Sequence, residues 1–249
     1  MTNQHNLTIA AQIPGQKNLE PGIYQTTDQV LGFDPELGLI AFANSPLSTE
    51  SSPAQTAMEI LMDDMQTNIP KLNAQMSDAD QTRLGANCLQ ESLDNINEYL
   101  YDLTASRFVT TQSTASITAL HYMENQLNFI TGSSEKCFLF KNNKLKSISN
   151  TVSRPLGGKP NYNSEVQHVA MSSGDILIIA ATSDIKTIGE DFIRLTLSRF
   201  PDDLEMVLRQ INTKISHTGA SQIPSIIICR INQKATMKKK SWIGRLRNR

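Results

Sequence analysis

The chain has 249 residues, 39% of them hydrophobic, with 23 basic and 24 acidic side chains and a formal net charge of −1. That length and apolar content suit one domain with its own core, and exclude a disordered or fibrous chain. No run of 18 apolar residues is present to span a bilayer, and the polar start Met1-Thr2-Asn3-Gln4-His5-Asn6 lacks the layout of a signal peptide, so a cytoplasmic location is expected.

Residues 22–31 and 38–44 read as strands. The second, Gly38-Leu39-Ile40-Ala41-Phe42-Ala43, is a short apolar run bounded by the turn formers Asp34-Pro35 and Ser45-Pro46. A helix is predicted from Ser51-Ser52-Pro53, where a capping serine precedes a proline suited to the first turn. Ala54, Ala57, Met58, Leu61, Met62 and Met65 then recur at helical spacing. A second helix opens at Ser77-Asp78-Ala79-Asp80, and Leu84, Cys88, Ile96, Tyr99, Leu100 and Leu103 form a stripe that should face a sheet.

The period then changes. Residues 114–121, 126–131, 136–140, 166–171, 175–181 and 223–231 read as strands, with tight turns at Glu124-Asn125, Lys141-Asn142-Asn143 and Ser172-Ser173-Gly174. Two amphipathic helices, near 188–199 and 202–216, separate the last two strands and are parted by Phe200-Pro201. This order predicts an α+β fold of two stacked antiparallel sheets covered by helices.

Cys88, Cys137 and Cys229 are far apart and lie in apolar patterns, so they read as buried, reduced thiols. The four histidines form no zinc-binding spacing. Charge is unevenly spread. The last 16 residues hold seven bases (Lys234, Lys238, Lys239, Lys240, Arg245, Arg247 and Arg249) and no acid, leaving 16 bases against 24 acids, a net −8, in residues 1–233. With Trp242 among them, Lys238, Lys239, Lys240, Arg245, Arg247 and Arg249 form a tail suited to an anionic membrane surface, whereas a nucleic-acid role is disfavoured; a solvated terminus is the plainer reading.

The segments Gly22–Val30, Phe42-Ala43-Asn44-Ser45, Thr131-Gly132-Ser133-Ser134-Glu135, Gly174-Asp175 through Ala181-Thr182-Ser183, and Ser221-Gln222-Ile223-Pro224 carry a family likeness. In order and spacing they resemble the metal-dependent serine/threonine phosphatases of the 2C type, the PPM family, whose patterns read R-x-x-N-E-D, V-A-D-G, V-G-D-S-R, G-D-(x)6-S-D-G and D-N-x-T. Thr110-Thr111 and Arg154-Pro155-Leu156-Gly157 add further echoes, and the resemblance runs over roughly residues 22–231. It implies a four-layer αββα sandwich. It places the phosphatase 2C-like domain at 21–232, which leaves an N-terminal extension at 1–20 and, from the charge distribution, the basic tail at 233–249.

Laid on those patterns, the family's metal-site aspartates correspond to Val30, Asn44, Ser133, Thr182 and Ser221, and its phosphate-binding arginine to Gln25. None of the five is an acid. The resemblance thus implies a vestigial site of Gln25, Asp28, Val30, Asn44, Ser45, Gly132, Ser133, Thr182, Asp184 and Ser221 with no catalytic residue, no metal and no cofactor. Hard divalent cations need anionic oxygen ligands, which Asn, Ser and Thr do not supply. Without them a water nucleophile keeps a pKa near that of bulk water.

The expected function is that of a pseudophosphatase, a protein-binding or regulatory module for a kinase, a phosphoprotein or a multiprotein assembly. Two alternatives stand beside it: a weak metal phosphatase using Asp28 and Asp184, and a scaffold anchored by its tail to a membrane or nucleic acid. Otherwise Asp28 and Asp175 are turn residues and Asp184 caps a helix. Hydroxyls of Ser133, Ser134, Thr182 and Ser183, with turn amides near Gly132, would offer an uncharged cleft contacts for a phosphate or acidic peptide.

Overall fold

The apolar runs of the sequence pair into two antiparallel sheets, each with one face turned to the other sheet and one to helices. The structure, a computed structural model, describes residues 7–13, 20–25, 29–45, 52–73, 78–106, 113–123, 125–132, 135–148, 154–161, 165–218 and 225–232. The first half supplies β1 (Leu7–Gln12), β2 (Gly22–Gln25), β3 (Val30–Asp34), β4 (Leu39–Asn44), α1 (Pro53–Asn73) and α2 (Asp78–Ser106). The second supplies β5 (Ser116–Met123), β6 (Gln126–Ile130), β7 (Glu135–Lys141), β8 (Lys144–Ser147), β9 (Gln167–Ala170), β10 (Ile176–Ala181), α3 (Thr182–Ile188), α4 (Glu190–Arg199), α5 (Leu204–Ser216) and β11 (Ile226–Ile231).

One sheet has the strand order β1-β11-β10-β7-β8 and the other β2-β3-β4-β5-β6-β9. Three apolar layers result. Met58, Leu61 and Met65 of α1 and Leu89, Leu93 and Ile96 of α2 pack on Leu39, Ala41 and Ala43 of the six-stranded sheet. Leu31, Ile40, Phe42 and Phe129 meet Leu139, Leu177 and Ile227 between the sheets. Ile178 and Ile228 pack under Ile193, Val207 and Ile211 of the second helical layer. This is the four-layer αββα sandwich, with Cys88, Cys137 and Cys229 all buried and unbridged.

Local chemistry explains the element ends. The Ser52 carbonyl accepts from the Gln55 and Thr56 amides at 2.9 and 3.1 Å, so α1 starts with Pro53 where a missing N–H costs nothing. Asn142 and Asn143 both have positive φ, the geometry of a two-residue hairpin turn between β7 and β8.

Four expectations need correction. Residues 22–31 form two antiparallel strands, with Gln25 opposite Val30, because the chain reverses between them. The segment assigned to an N-terminal extension contains β1, which pairs with β11 from Leu7↔Ile231 to Gln12↔Ile226, so sheet structure begins before residue 21. Both β8 and α3 were absent from the predicted elements. Tyr99 is 48% exposed, since the buried stripe of α2 runs through Ile96 and Leu100 on either side of it.

Candidate functional site

Strand register brings the described parts of four predicted segments to one end of the sandwich. There β2 ends at Gln25, β3 begins at Val30, β4 ends at Asn44, which faces Ser116 at the start of β5, and β6 ends at Ile130. From β6 the chain crosses through Thr131-Gly132 to β7 in the other sheet, whose Glu135 pairs with Ala181 at the end of β10. Thr182, Ser183 and Asp184 follow in the first turn of α3. Asp28, Ser133, Ser221 and the tail residues Lys238, Lys239, Lys240, Trp242, Arg245, Arg247 and Arg249 lie outside the described residues.

Side-chain alternation then separates the members of this edge. On β4, Leu39, Ala41 and Ala43 belong to the helix-facing core while Ile40 and Phe42 lie between the sheets, so Asn44 continues the inter-sheet side. Ser116 and Thr118 share that side, opposite Asn44 and Phe42. Val30 falls on the other. It is 3% exposed and sits in the core formed with α1 and α2, whereas Leu31 and Phe33 point between the sheets. The Val30 position therefore belongs to the core, and one more step of alternation puts Gln29 on the Asn44 side. Gln25, paired with Val30, is exposed on the outer side.

Among the described residues, two pairs of neutral groups at this edge engage one another. The Gly132 amide donates to Thr118 Oγ1 at 3.2 Å, so it is not the open anion donor expected of that turn; buried Thr118 draws it inward. Ser45 and Ser52 hydroxyls meet at 3.4 Å, joining the end of β4 to the start of α1. Thr131 is buried, and Asn44 is partly exposed. Sequence reasoning missed Gln29, Ser116 and Thr118. The alternation of Thr114, Ser116 and Thr118 with Ala115, Ile117 and Ala119 carried the signal for the last two.

Among the described residues, Asp184 is the acid of the predicted set that lies at this edge. It does not cap α3: the cap position is Ala181, and Asp184 lies inside the first turn. Burial holds its carboxyl above the ordinary value, partly offset by the hydrogen bond it accepts from the Ser225 backbone. An acid whose folded pKa is raised contributes stability below its unfolded pKa, and that contribution is lost as pH rises through the folded value. Asp184→Asn, which keeps an acceptor for the Ser225 amide, is thus expected to be more stable than the unaltered protein at pH 7. The difference should shrink toward pH 3 in denaturant melts; a variant equally destabilised at both pH values would contradict the assignment.

Asp175 belongs elsewhere. At the opposite end of the sandwich it accepts from the Ser172 amide at 2.8 Å and pairs with Lys141 at 2.8 Å, the turn role expected of it. Neither Cys88, in the helix-facing core, nor Cys229, between the sheets, supplies a nucleophile. Burial pushes Cys229 up to about 12, and burial, Glu91 and Asp64 push Cys88 up to about 11.

The β5 side of the edge is walled by residues 154–161. Ala115 and Leu156 exchange both backbone hydrogen bonds, at 3.2 and 2.8 Å. From α2, the buried Asn97 accepts from the Gly157 amide at 2.9 Å and donates to the carbonyls of Lys159 and Pro160 at 3.0 and 3.3 Å. Outside this wall, Asp94, Glu98, Tyr101, Asp102, Pro160 and Asn161 line an open groove of about 520 Å³.

No protein-family model and no curated protein sequence matches this chain. Solved structures do. PppA, a key regulatory component of T6SS in Pseudomonas aeruginosa, is similar with a TM-score of 0.62 and 16% identity over 90% of this chain and 96% of that one. The Mycobacterium tuberculosis serine/threonine phosphatase PstP gives 0.60 and 11% over 91% and 99%. The PPM Ser-Thr phosphatase MsPP from Mycobacterium smegmatis, in complex with cacodylate, gives 0.56 and 11% over 91% and 98%.

Proposed function

Because the chain has the fold of the 2C-type phosphatases, we propose that it is a pseudophosphatase, a catalytically silent module that binds and regulates a protein partner. The observation that supports this most directly is Asn44. It stands at the inter-sheet strand end with Ser116 opposite, where the resemblance calls for a metal-binding aspartate. A neutral carboxamide does not balance the cost of dehydrating a divalent cation. Thr182 adds a second neutral position at the same end. The partner class is a kinase, a phosphoprotein or a multiprotein assembly; the description of PppA as a regulatory component of T6SS supports a role within an assembly. The basic tail supplies a separate means of approach to an anionic membrane surface.

Thermal melts test the reading against its rival, a metal phosphatase using Asp28 and Asp184. A ligand at 100 times its dissociation constant stabilises a protein by about 2.7 kcal/mol. Melts with and without millimolar Mg²⁺ or Mn²⁺ are expected to coincide. A metal-dependent rise that Asp184→Ala abolishes would overturn the proposal.

A further inference from the structure

We propose that residues 154–161 form a strap that opens as one unit with the first residues of β5, and that Asn97 is its latch. The segment is exposed at Arg154, Pro155, Gly158, Lys159, Pro160 and Asn161, and it is anchored through two buried residues only, Leu156 and Gly157. Leu156 is held by one isolated pair of backbone bonds to Ala115 and by its side chain, which is fully buried in the helix-facing core. Gly157 is held by Asn97, whose carboxamide spends both its acceptor and its donors on the strap although it sits in the middle of α2.

The Ser113 amide is held by Thr104 Oγ1 at 2.9 Å, and Thr104 in turn donates to the Leu100 carbonyl at 3.1 Å. Among the described pairings, β6 meets β5 only from Ala119 onward. A segment anchored at two buried residues and by a small, local set of hydrogen bonds, with exposed chain on both sides of them, opens without global unfolding. Breaking the latch frees the Gly157 amide and the two carbonyls together, so the three bonds fail as a set rather than one by one. Opening uncovers the backbone N–H and C=O of Ala115 next to Ser116 and Asn44, a strand edge of the kind to which an extended peptide adds. It also removes one wall of the groove beneath Asp94, Glu98 and Asp102. The strap is thereby a self-contact that covers the candidate edge until it is displaced.

Amide hydrogen exchange on the full chain tests this without metal or partner, so its outcome is separate from the question of catalysis. Asn97→Ala is expected to speed exchange of Ala115, Leu156 and Gly157 by a common factor of ten or more, with the amides of β7, β10 and β11 unchanged. Acceleration confined to Gly157 would reduce Asn97 to a local bond and overturn the proposal. Should the variant fold poorly, the unaltered protein in low denaturant serves instead: Ala115, Leu156 and Gly157 are expected to share one opening free energy below that of the core strands. Exchange of all three only at the global rate would likewise overturn it.

Discussion

Gly157→Ala is expected to lower the unfolding free energy by about 3 kcal/mol or more. Gly157 has φ +79, and a Cβ added there would stand 2.4 Å from the Ser113 carbonyl oxygen and 2.6 Å from Leu100 Cβ. The left-handed conformation alone costs an L-residue roughly 1–2 kcal/mol. Overpacking against groups that cannot rotate away adds about 1–3 kcal/mol. Gly174→Ala provides the control, since its φ is +87 and nothing lies within 4 Å of the added carbon. Denaturant melts of the two variants separate the terms: Gly174→Ala should lose only the conformational part. Equal losses would show that Gly157 is not wedged against α2 and β5.

Restoring an acid at Val30 is expected to damage the protein rather than rebuild a metal site. The Val30 side chain is enclosed with Leu39, Ala41, Met58 and Leu61, so Val30→Asp places a carboxylate among hydrocarbon. An uncompensated buried charge costs roughly 3–5 kcal/mol, and the group responds by holding its proton. Its folded pKa would rise, so the loss of stability should deepen as pH climbs through that raised value and ease below an unfolded pKa of about 3.9. Melts across pH 3–8 check the sign. Mn²⁺ should give no rescue, because the side chain is turned toward α1; a manganese-dependent recovery would place Val30 on the inter-sheet side and refute the alternation argument. Asn44→Asp, on the partly exposed inter-sheet side, should be far better tolerated.

These two positions show what was legible in the sequence. The order of elements could be read because helical spacing of Ala54, Met58, Leu61 and Met65, and apolar runs such as Ile176–Ala181, report burial directly. The described parts of four predicted segments sit at strand ends on one side of the sandwich, because turn residues mark where strands stop. Which side a residue faces did not follow from matching letters. Val30 matches a family position in linear order, yet the pleat turns it into the core, and the same pleat brings in Gln29, Ser116 and Thr118. The strand β8 was hidden because Lys144-Leu145-Lys146-Ser147 is a lysine-rich edge, the composition that deters further pairing. Asn97 was hidden because its partners lie 60 to 63 residues away.

The pairing of β1 with β11 also sets the order of assembly. Thr8 lies opposite Arg230, and Thr8 and Asn232 side chains meet across a sequence separation of 224 residues. A strand that must wait for its neighbour cannot join the sheet until β11 has left the ribosome, and so long a loop closes late because its entropy is spent before any contact repays it. Until then the nascent chain carries β1 as a partly apolar, unpaired segment, and β11, once made, has one open flank beside β10. The interval vulnerable to aggregation thus lasts until β11 is made, and it lies at the side of the molecule where β1 and β11 pair.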